Sequence, residues 1–497
     1  MLPLSFLHRQ YSIAPAGFNR WRVPPAALAI HLAVGQAYAF SVFNLPLTRQ
    51  LGVTTSSPQD WSLTTVAWIF STAIVFLGLS AAVFGKWLER VGPRAAMFAS
   101  ALCFSSGFFV AALGVTWHQF WLLVLGYGVL GGIGLGLGYI SPVSTLMKWF
   151  PDRPGMATGM AIMGFGGGAM IGSPLGVNLM KLYATPTSTG VAPAFLTMGL
   201  LYLAFMMFGV FTVRLPAAEG STAASSKASR PRNLVRDFTA DEAIRTRQFW
   251  LLWCVLFVNV SAGIGILSQA SPMIQEMFPG TVSPPAAAGF VGLLSLFNLA
   301  GRFGWSSLSD YLGRKRTYLV YFLLGMVLYA FIPATGKLES VPLFVGCCAV
   351  IMSMYGGGFA TIPAYLRDLF GTAQVGAIHG RLLTAWSAAG IVGPLLISGL
   401  REYQRHHGVP ATEAYSVTML ILAGLLGVGL ISNAQVRPVT SPKQQPTEAT
   451  APSPVEVAAP ESAGSHSLGL WVSWLVVGTP LAWGIWETLK KSLALFH

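Results

Sequence analysis

Charged side chains are scarce in this sequence. Asp, Glu, Lys and Arg make up 9% of the 497 residues, whereas a soluble domain contains about 25%. Hydrophobic residues make up 54%, and the mean hydropathy is +0.61. Because so few charges cannot cover a water-exposed surface, the composition excludes an ordinary soluble domain and predicts a chain whose solvent is lipid.

Cysteine is equally rare, and no cysteine stands in a metal-binding motif. Cys103 and Cys254 are isolated, Cys347 and Cys348 are adjacent, and all of them fall within apolar segments. This pattern excludes a disulfide framework and the CxxC spacing of zinc sites. No nucleophile–base pair stands out either. We therefore expect no metal, no cofactor and no enzyme activity.

The charges that are present carry a strong positive excess. The 30 Lys and Arg residues outnumber the 17 Asp and Glu residues, which gives a formal net charge of +13. In a soluble protein this balance would favour nucleic acid as a partner. Here the cations lie mostly in short segments between apolar runs, as membrane topology and contact with anionic lipids require. We expect a lipid bilayer as a partner and no nucleic acid.

Apolar runs of about 20 residues, the length that spans a bilayer, fill most of the chain. A basic tail, residues 1–22, precedes two sets of six runs within residues 23–214 and 249–435. A polar loop at 215–248 separates the sets, and a Pro-, Ala-, Ser- and Glu-rich segment at 436–467 is typical of a disordered linker. The predicted spans lie near residues 23–45, 61–84, 94–115, 119–141, 156–180, 192–213, 249–272, 287–308, 317–334, 341–365, 376–400 and 414–434.

A further apolar run, residues 468–489, follows the linker. Trp471 with Trp474, and Trp483 with Trp486, form pairs near its two ends, as in an aromatic belt. A helix lying at the membrane interface is the alternative, because spanning leaves the lysines at its end outside. We predict an accessory transmembrane helix.

The distribution of Lys and Arg among the loops predicts the orientation. With the amino terminus in the cytoplasm, the loops inside hold most of the cations. The loops outside, between the first twelve spans, then hold only Arg49, Lys181, Lys337, Arg401 and Arg405. The positive-inside rule therefore favours a cytoplasmic amino terminus. We expect a multi-pass, monomeric protein of the cell inner membrane.

The two sets of six runs repeat each other. Glu89 and Gly92, after the second run, recur 221 positions later as Asp310 and Gly313 after the eighth. Pro142 with Pro363, and Gly159 with Gly380, share this spacing. Two such halves enclose a substrate site near mid-membrane and expose it alternately to the two sides. The predicted fold class is an all-α integral membrane protein of two six-helix halves, related by a pseudo-twofold axis, plus a thirteenth transmembrane helix.

Both corner loops resemble the signature loop of the major facilitator superfamily. The second corner matches it closely, and the first departs from it by Glu89 in place of Asp and by an inserted proline. Residues 149–159 (WFPDRPGMATG) and 298–304 (NLAGRFG) resemble the oxalate/formate antiporter-type branch and its monocarboxylate-transporter relatives. The resemblance covers about residues 20–435 and implies a carrier of small organic anions. It also implies that the corners gate conformational change, through Gly85, Glu89, Arg90, Gly92, Arg94, Asp310, Gly313, Arg314 and Lys315.

Arg302 is the most informative single residue. It lies in an apolar run eight residues before Asp310, a rise of about 12 Å in a helix. A guanidinium at the bilayer centre costs at least about 2.5 kcal/mol and is tolerated mainly where it faces a cavity or binds something. The resemblance implies that Arg302 holds the substrate carboxylate; a structural Arg that snorkels to the surface or to Asp310 is the alternative. Asn298, one turn earlier, could bind substrate, orient Arg302 or form a plain interhelical bond.

The resemblance implies further substrate-binding residues. Alignment with oxalate-type carriers places Trp386 where those carriers have a second cation, a lysine. One deep cation with a Trp face suits a monocarboxylate with an apolar tail, whereas a symmetrical oxalate site requires two cations. Tyr139, Tyr355 and Tyr38 are the expected hydroxyl-bearing residues around the carboxylate. Packing without any contact to substrate is the alternative for all four aromatic residues.

The middle of every predicted span lacks Asp and Glu. Proton-coupled carriers commonly use a carboxylate there as the proton site. Three mechanisms therefore stay open: His31 carries the proton, the substrate carries it, or one anion exchanges for another. His379 and Arg381, near one end of the eleventh run, are further candidates for a proton site or a second anion site.

Together these features predict a secondary active transporter of small monocarboxylates such as lactate, pyruvate or formate, working by proton symport or anion exchange. The first alternative is an oxalate-type dicarboxylate/formate antiporter with His379 or Arg381 as its second pole. A membrane sensor that binds its ligand without moving it is the alternative from another class. The short loops count against a sensor.

Overall fold

The computed structural model describes residues 4–217, 237–410, 413–439 and 468–493. Within these ranges thirteen helices are long and apolar enough to cross a membrane, which confirms the predicted all-α architecture. The predicted loop and linker fall partly outside the described residues, at 218–236 and 440–467. The helices, numbered α1 to α13, are Arg20–Leu47, Leu63–Val91, Pro93–Thr116, Phe120–Trp149, Pro154–Tyr183, Val191–Thr212, Arg247–Met277, Ala286–Leu312, Arg314–Lys337, Val341–Phe370, Val375–His406, Ser416–Gln435 and Leu468–Ser492.

Successive helices run in opposite directions between two faces of the bundle. We call the face that holds the start of α1 the amino-terminal face, and the opposite one the far face. Within each half, most turns between successive helices are short and favour this alternation. Gly92, between α2 and α3, and Gly313, between α8 and α9, adopt positive φ values of 89° and 85°, which glycine reaches without steric cost. Both corner turns lie on the amino-terminal face.

The packing of the helices follows the repeat. In the amino-terminal half α1 packs on α5, α2 on α4 and α3 on α6; in the second half α7 packs on α11, α8 on α10 and α9 on α12. The main contacts between the halves are α5 with α8 and α2 with α11, which the pseudo-twofold relates to each other. A site between the halves is therefore bordered by equivalent helices from both.

Gly159 and Gly380 lie where these contacts between the halves are closest. A Cβ atom on Gly159 of α5 would lie 2.9 Å from the carbonyl oxygen of Arg302 in α8. A Cβ atom on Gly380 of α11 would overlap the carbonyl oxygen of Ala81 in α2. Only a residue without a side chain lets the backbones approach this closely. Each half therefore contributes one such glycine, at equivalent positions of the repeat.

The acidic residue of each corner caps a helix of the other half. Both carboxylate oxygens of Asp310 accept bonds at 2.9 Å, from the N–H groups of Gly155 and Met156 at the start of α5. The carboxylate of Glu89 accepts a bond at 3.1 Å from the N–H of Gly376 at the start of α11. The first turn of a helix has unpaired N–H groups and attracts anions. These bonds hold the two halves together at the amino-terminal face.

A short helix, Ala240–Ile244, lies between the halves along the chain and begins with a capping box. The Thr239 side chain accepts from the N–H of Glu242, and the Glu242 carboxylate accepts from the N–H of Thr239. The sequence pattern Thr-x-x-Glu is a recognised signal for such a start. The predicted polar loop therefore contains an ordered element.

Candidate substrate site

Arg302 is fully buried in α8 at the contact between the halves. Its Nε donates to the Asn298 side-chain oxygen at 3.0 Å, and its Nη1 lies 3.5 Å from the carbonyl oxygen of Ile162 in α5. Its Nη2 has no hydrogen-bond partner in the part of the chain that the structure describes. Asp310, the carboxylate to which it could have snorkelled, is paired with Arg314 at 2.6 Å. One edge of a buried guanidinium is therefore left for a ligand.

Asn298 orients this guanidinium. It lies one turn before Arg302 and is itself buried, so the bond from Nε fixes the plane of the guanidinium group. The rings of Phe165 and Phe359 flank the same group, with their centroids 5.6 and 5.1 Å from Arg302 Cζ. Aromatic faces at this distance stabilise a cation without neutralising its charge. A bound anion would still find a full positive charge.

Trp386, in α11, packs against the aromatic residues that lie around Arg302. Its ring centroid lies 5.2 Å from those of Tyr139 and Phe165 and 4.6 Å from that of Phe359. The side chain is fully buried, and its Nε1, which can only donate, has no partner among the residues that the structure describes. We call Arg302, Tyr139, Phe165, Phe359 and Trp386 the central cage. It takes side chains from α4, α5, α8, α10 and α11, and thus from both halves.

The three predicted tyrosines all lie at this cage. The hydroxyls of Tyr38 in α1 and Tyr355 in α10 are 3.1 Å apart and join the two halves. The Tyr38 ring lies 6.2 Å from Trp386. The hydroxyl of Tyr139 is buried and faces the Arg302 guanidinium, without an aligned hydrogen-bond partner among the described residues. A buried hydroxyl normally finds a partner, so Tyr139 offers a second open group beside Arg302.

The two predicted histidines differ in what their rings contact. His31 Nδ1 faces the carbonyl oxygen of Ala161, and Nε2 faces that of Tyr139 at 3.1 Å. A neutral imidazole has one N–H and can satisfy only one of these acceptors. His379 is also buried, with its ring centroid 5.8 Å from that of Tyr139, and neither of its nitrogens has a partner.

Arg381 is not brought to the cage. Its guanidinium donates to the carboxylate of Asp241 at 2.6 Å near the amino-terminal face, and Lys86 of α2 binds the same carboxylate. The two cations lower the pKa of Asp241 to about 2, with Lys86 making the larger contribution. Because Nη2 is already paired with a carboxylate while Nη1 has no partner among the described residues, Arg381 is a weaker candidate than His379 for a second pole.

The ion pairs of Asp241 are expected to make no contribution to pH dependence near neutrality. A carboxyl whose folded pKa is lowered stabilises the fold above its unfolded pKa of 3.8 and loses this effect only as the pH falls through about 2. Asp241→Asn should therefore lower the melting temperature slightly, because exposed pairs are weak, and by the same amount at about pH 5 and about pH 8. Thermal unfolding in detergent measures this difference. A difference that changes across the interval would contradict the assignment.

The remaining corner residues have structural contacts on the amino-terminal face. Arg94 is buried and donates to the carbonyl oxygens of Phe6 and Tyr11, at 3.0 and 2.9 Å, which anchors the amino-terminal tail. Lys315 donates to the carbonyl oxygen of Ala434 at 2.7 Å, at the end of α12. Gly85 of α2 packs against α11. Arg90 is exposed.

Arg90 also borders a cavity of about 680 Å³ at the amino-terminal face. This cavity is lined by charged residues, several of which already form pairs, including Lys148 with Glu89 at 3.0 Å. Its size alone would suggest a binding site. The central cage is the better candidate, because several of its polar atoms are buried and have no partner among the described residues.

Phe165 and Phe359 are the site residues that reasoning from the sequence missed. Phe165 lies 221 positions before Trp386, so the repeat relates the two rings that face each other in the cage. This spacing could have identified Phe165 once Trp386 was singled out. Phe359 lies one helical turn after Tyr355, on the same side of α10, which is a weaker signal because many residues share that relation to a candidate.

Comparison with known proteins agrees with this architecture. A family model described as the Major Facilitator Superfamily matches residues 26–394 and 281–493. The oxalate:formate antiporter of Oxalobacter formigenes is 28% identical over 380 residues, covering 76% of this chain and 83% of the antiporter. Apicoplast pyruvate carrier 1 of Toxoplasma gondii is 27% identical over 380 residues, covering 65% of this chain and 68% of the carrier.

Solved structures show the same fold at low sequence identity. FucP, a major facilitator superfamily transporter in its outward conformation, aligns with a TM-score of 0.60 and 14% identity, over 84% of this chain and 100% of that one. A bacterial homologue of the iron transporter ferroportin aligns with a TM-score of 0.58 and 16% identity, over 84% of this chain and 98% of that one.

Proposed function

We propose that this chain, which belongs to the major facilitator superfamily, is a secondary carrier that moves small monocarboxylates by alternating access. The observation that carries the proposal is the Arg302 guanidinium, which is fully buried with one nitrogen unpartnered. A buried charge without a counter-ion is costly. A substrate carboxylate would supply both the counter-charge and the missing acceptor, in the planar geometry that a guanidinium prefers.

The polarity of the cage favours one carboxylate. Arg302 is the cation at its centre, and the opposite wall is the neutral indole of Trp386. The Tyr139 hydroxyl can donate to the carboxylate that Arg302 holds. The indole N–H then needs an acceptor of its own, which an oxo or hydroxyl group next to the carboxylate would supply. Lactate- and pyruvate-like anions have this arrangement, and two relatives are named for oxalate with formate and for pyruvate.

His379 supports a second candidate function, the exchange of dicarboxylates. Its two ring nitrogens are buried and unpartnered on the amino-terminal side of Tyr139. A protonated imidazole there would give a dianion a second positive pole. This function requires a proton on His379, whereas binding of a monocarboxylate does not.

Uptake into proteoliposomes separates the candidates. We expect labelled pyruvate and lactate to enter vesicles that contain the purified protein, and labelled oxalate to enter far more slowly at neutral pH. Oxalate uptake that equals pyruvate uptake would support the dicarboxylate function. Binding of labelled anions without any uptake would instead support a sensor. Protein-free vesicles provide the control for passive diffusion of the undissociated acids.

Exchange is expected to be much faster than net uptake. Because no carboxylate among the described residues is paired with Arg302, reorientation of the empty carrier must carry a buried charge that is not neutralised. If this adds about 1.4 kcal/mol to the barrier, counterflow of labelled against unlabelled pyruvate should exceed net uptake about tenfold. Initial rates from vesicles with and without internal pyruvate measure the ratio. Equal rates would mean that the buried charge adds nothing to the barrier of the empty carrier, and would contradict this account.

A further inference from the structure

The last helix, α13, packs on the amino-terminal half for most of its length. It lies across the outside of the seam between α5 and α8 and also contacts α1. Near its start, Trp474 Nε1 donates to the carbonyl oxygen of Trp21 at 3.2 Å. Val477 is buried against residues 28, 29 and 32 of α1. Gly484 packs on α5, where a Cβ atom would lie 3.1 Å from the carbonyl oxygen of Met170.

The final turn of α13 crosses to the other half. Ser492 Oγ donates to the carbonyl oxygen of Gly289 in α8 at 3.0 Å. Thr488 lies against Gly292, where a Cβ atom would be 3.1 Å from the Thr488 methyl group. A Cβ atom on Gly289 would overlap the backbone of Lys491. Small residues on both sides permit this close packing within a membrane. We call these four residues, Thr488, Ser492, Gly289 and Gly292, the α13–α8 contact.

The α13–α8 contact lies at the far end of α8, away from the bonds that join the two halves. Those bonds run from Asp310 and Glu89 at the amino-terminal face to the Tyr38–Tyr355 pair near mid-helix. Gly289 is in the first turn of α8, on the far face. Rocking of the halves opens the amino-terminal face and moves the far ends of α5 and α8 relative to each other. Because α13 is seated on α1 and α5 and also contacts α8, that motion must change its contact with α8.

We propose that the α5–α8 seam is a docking surface for α13, and that α13 stabilises the conformation in which the amino-terminal face is closed. The helix moves with the amino-terminal half, and the α13–α8 contact breaks when the far ends of the halves approach. The helix that covers the seam is thus part of the same chain. This role depends on packing alone and does not depend on which anion is transported.

Distances between spin labels at the far face test this proposal without any substrate. Labels on cysteines introduced at Leu182 and Leu338 report the separation of α5 and α9, and the four native cysteines are replaced by serine. Both positions are well exposed, at 72% and 62%. Gly289→Leu should displace α13 from α8 and raise the population with a short distance about threefold, as expected when one interhelical bond of ordinary strength is lost in a membrane.

Two further variants make the outcome decisive. Gly478→Leu adds the same side chain to α13 at a position with nothing within 4 Å of its Cβ atom, so its distances should match those of the parent protein. Ser492→Leu disrupts the contact from the α13 side and should reproduce the shift of Gly289→Leu. Unchanged distances in Gly289→Leu and Ser492→Leu would overturn the proposal. A shift in Gly289→Leu alone, or an equal shift in Gly478→Leu, would also overturn it.

Discussion

Replacing Arg302 with alanine is expected to abolish the stabilisation of the purified protein by small carboxylates. Loss of one partner from a buried, hydrogen-bonded charge pair costs about 2–5 kcal/mol, so the affinity should fall about 30-fold or more. Thermal unfolding in detergent across a panel of pyruvate, lactate, formate and oxalate measures the effect as a lost shift in melting temperature. Transport in proteoliposomes should fall by a comparable factor.

Without ligand, replacing Arg302 should not lower the melting temperature of the protein. Arg302→Met removes the charge but keeps much of the length of the side chain. Because the guanidinium lacks a counter-ion among the described residues, its removal should leave the unliganded melting temperature unchanged or raise it. An Arg that serves only as a structural tie through Asn298 and Ile162 would give a clear loss of stability instead. This comparison separates a binding role from a packing role.

Two variants serve as controls for the Arg302 result. Arg302→Lys keeps the charge but loses the planar fork, so it should bind carboxylates with an intermediate affinity. Arg316→Ala removes an exposed cation from the start of α9 and should bind like the parent protein. Carboxylate stabilisation that survives in Arg302→Ala would remove the central claim about the site.

Replacing Trp386 with lysine is expected to change the preference from monocarboxylates to dicarboxylates. The indole lies within 5.2 Å of both phenylalanine rings that flank Arg302, so an ammonium in its place would face the second carboxylate of a bound dianion. A new charge pair of about 2 kcal/mol would raise the affinity for oxalate about 30-fold. Competition of oxalate against labelled pyruvate gives the change in the affinity ratio.

The same substitution should destabilise the empty protein. Two buried cations without counter-ions repel each other in a medium of low dielectric constant, so Trp386→Lys should melt at a lower temperature until oxalate binds. Trp386→Met is the matched control, because methionine is similar in length to lysine but uncharged. If oxalate affinity rises as much in the methionine variant, then the volume of Trp386 and not its lack of charge sets the preference.

Much of the fold was accessible from the sequence because lipid is a demanding solvent. Each backbone polar group of a spanning segment must be paired within its own helix, so the apolar runs predict thirteen helices directly. The 221-residue spacing predicts the pseudo-twofold, and Gly159 and Gly380 occupy equivalent crossings. The ordered helix at Ala240–Ile244 was not anticipated, because its capping box lies within a segment of polar composition.

The site was accessible only in part. Arg302 can be recognised from the sequence alone, because a charge within an apolar run has a high free-energy cost wherever the helix lies. Whether a counter-ion faces it depends on α5, α10 and α11, which are distant along the chain. His379 and Arg381 are two residues apart, yet one is buried beside Tyr139 and the other is paired with Asp241 at the surface. Helical rotation of about 100° per residue separates them by roughly 200°.

The sequence by itself therefore determined the solvent, the number of helices, the repeat and the single deep cation, because each follows from local polarity or from a regular spacing. The tertiary structure alone decided that the Arg302 guanidinium keeps an open edge, that Phe165 and Phe359 flank it, and that α13 bridges the α5–α8 seam. These features depend on contacts between helices far apart in the chain. Packing between helices in lipid is governed by close fit and not by hydrophobicity, so the polarity pattern of the sequence carries little information about it.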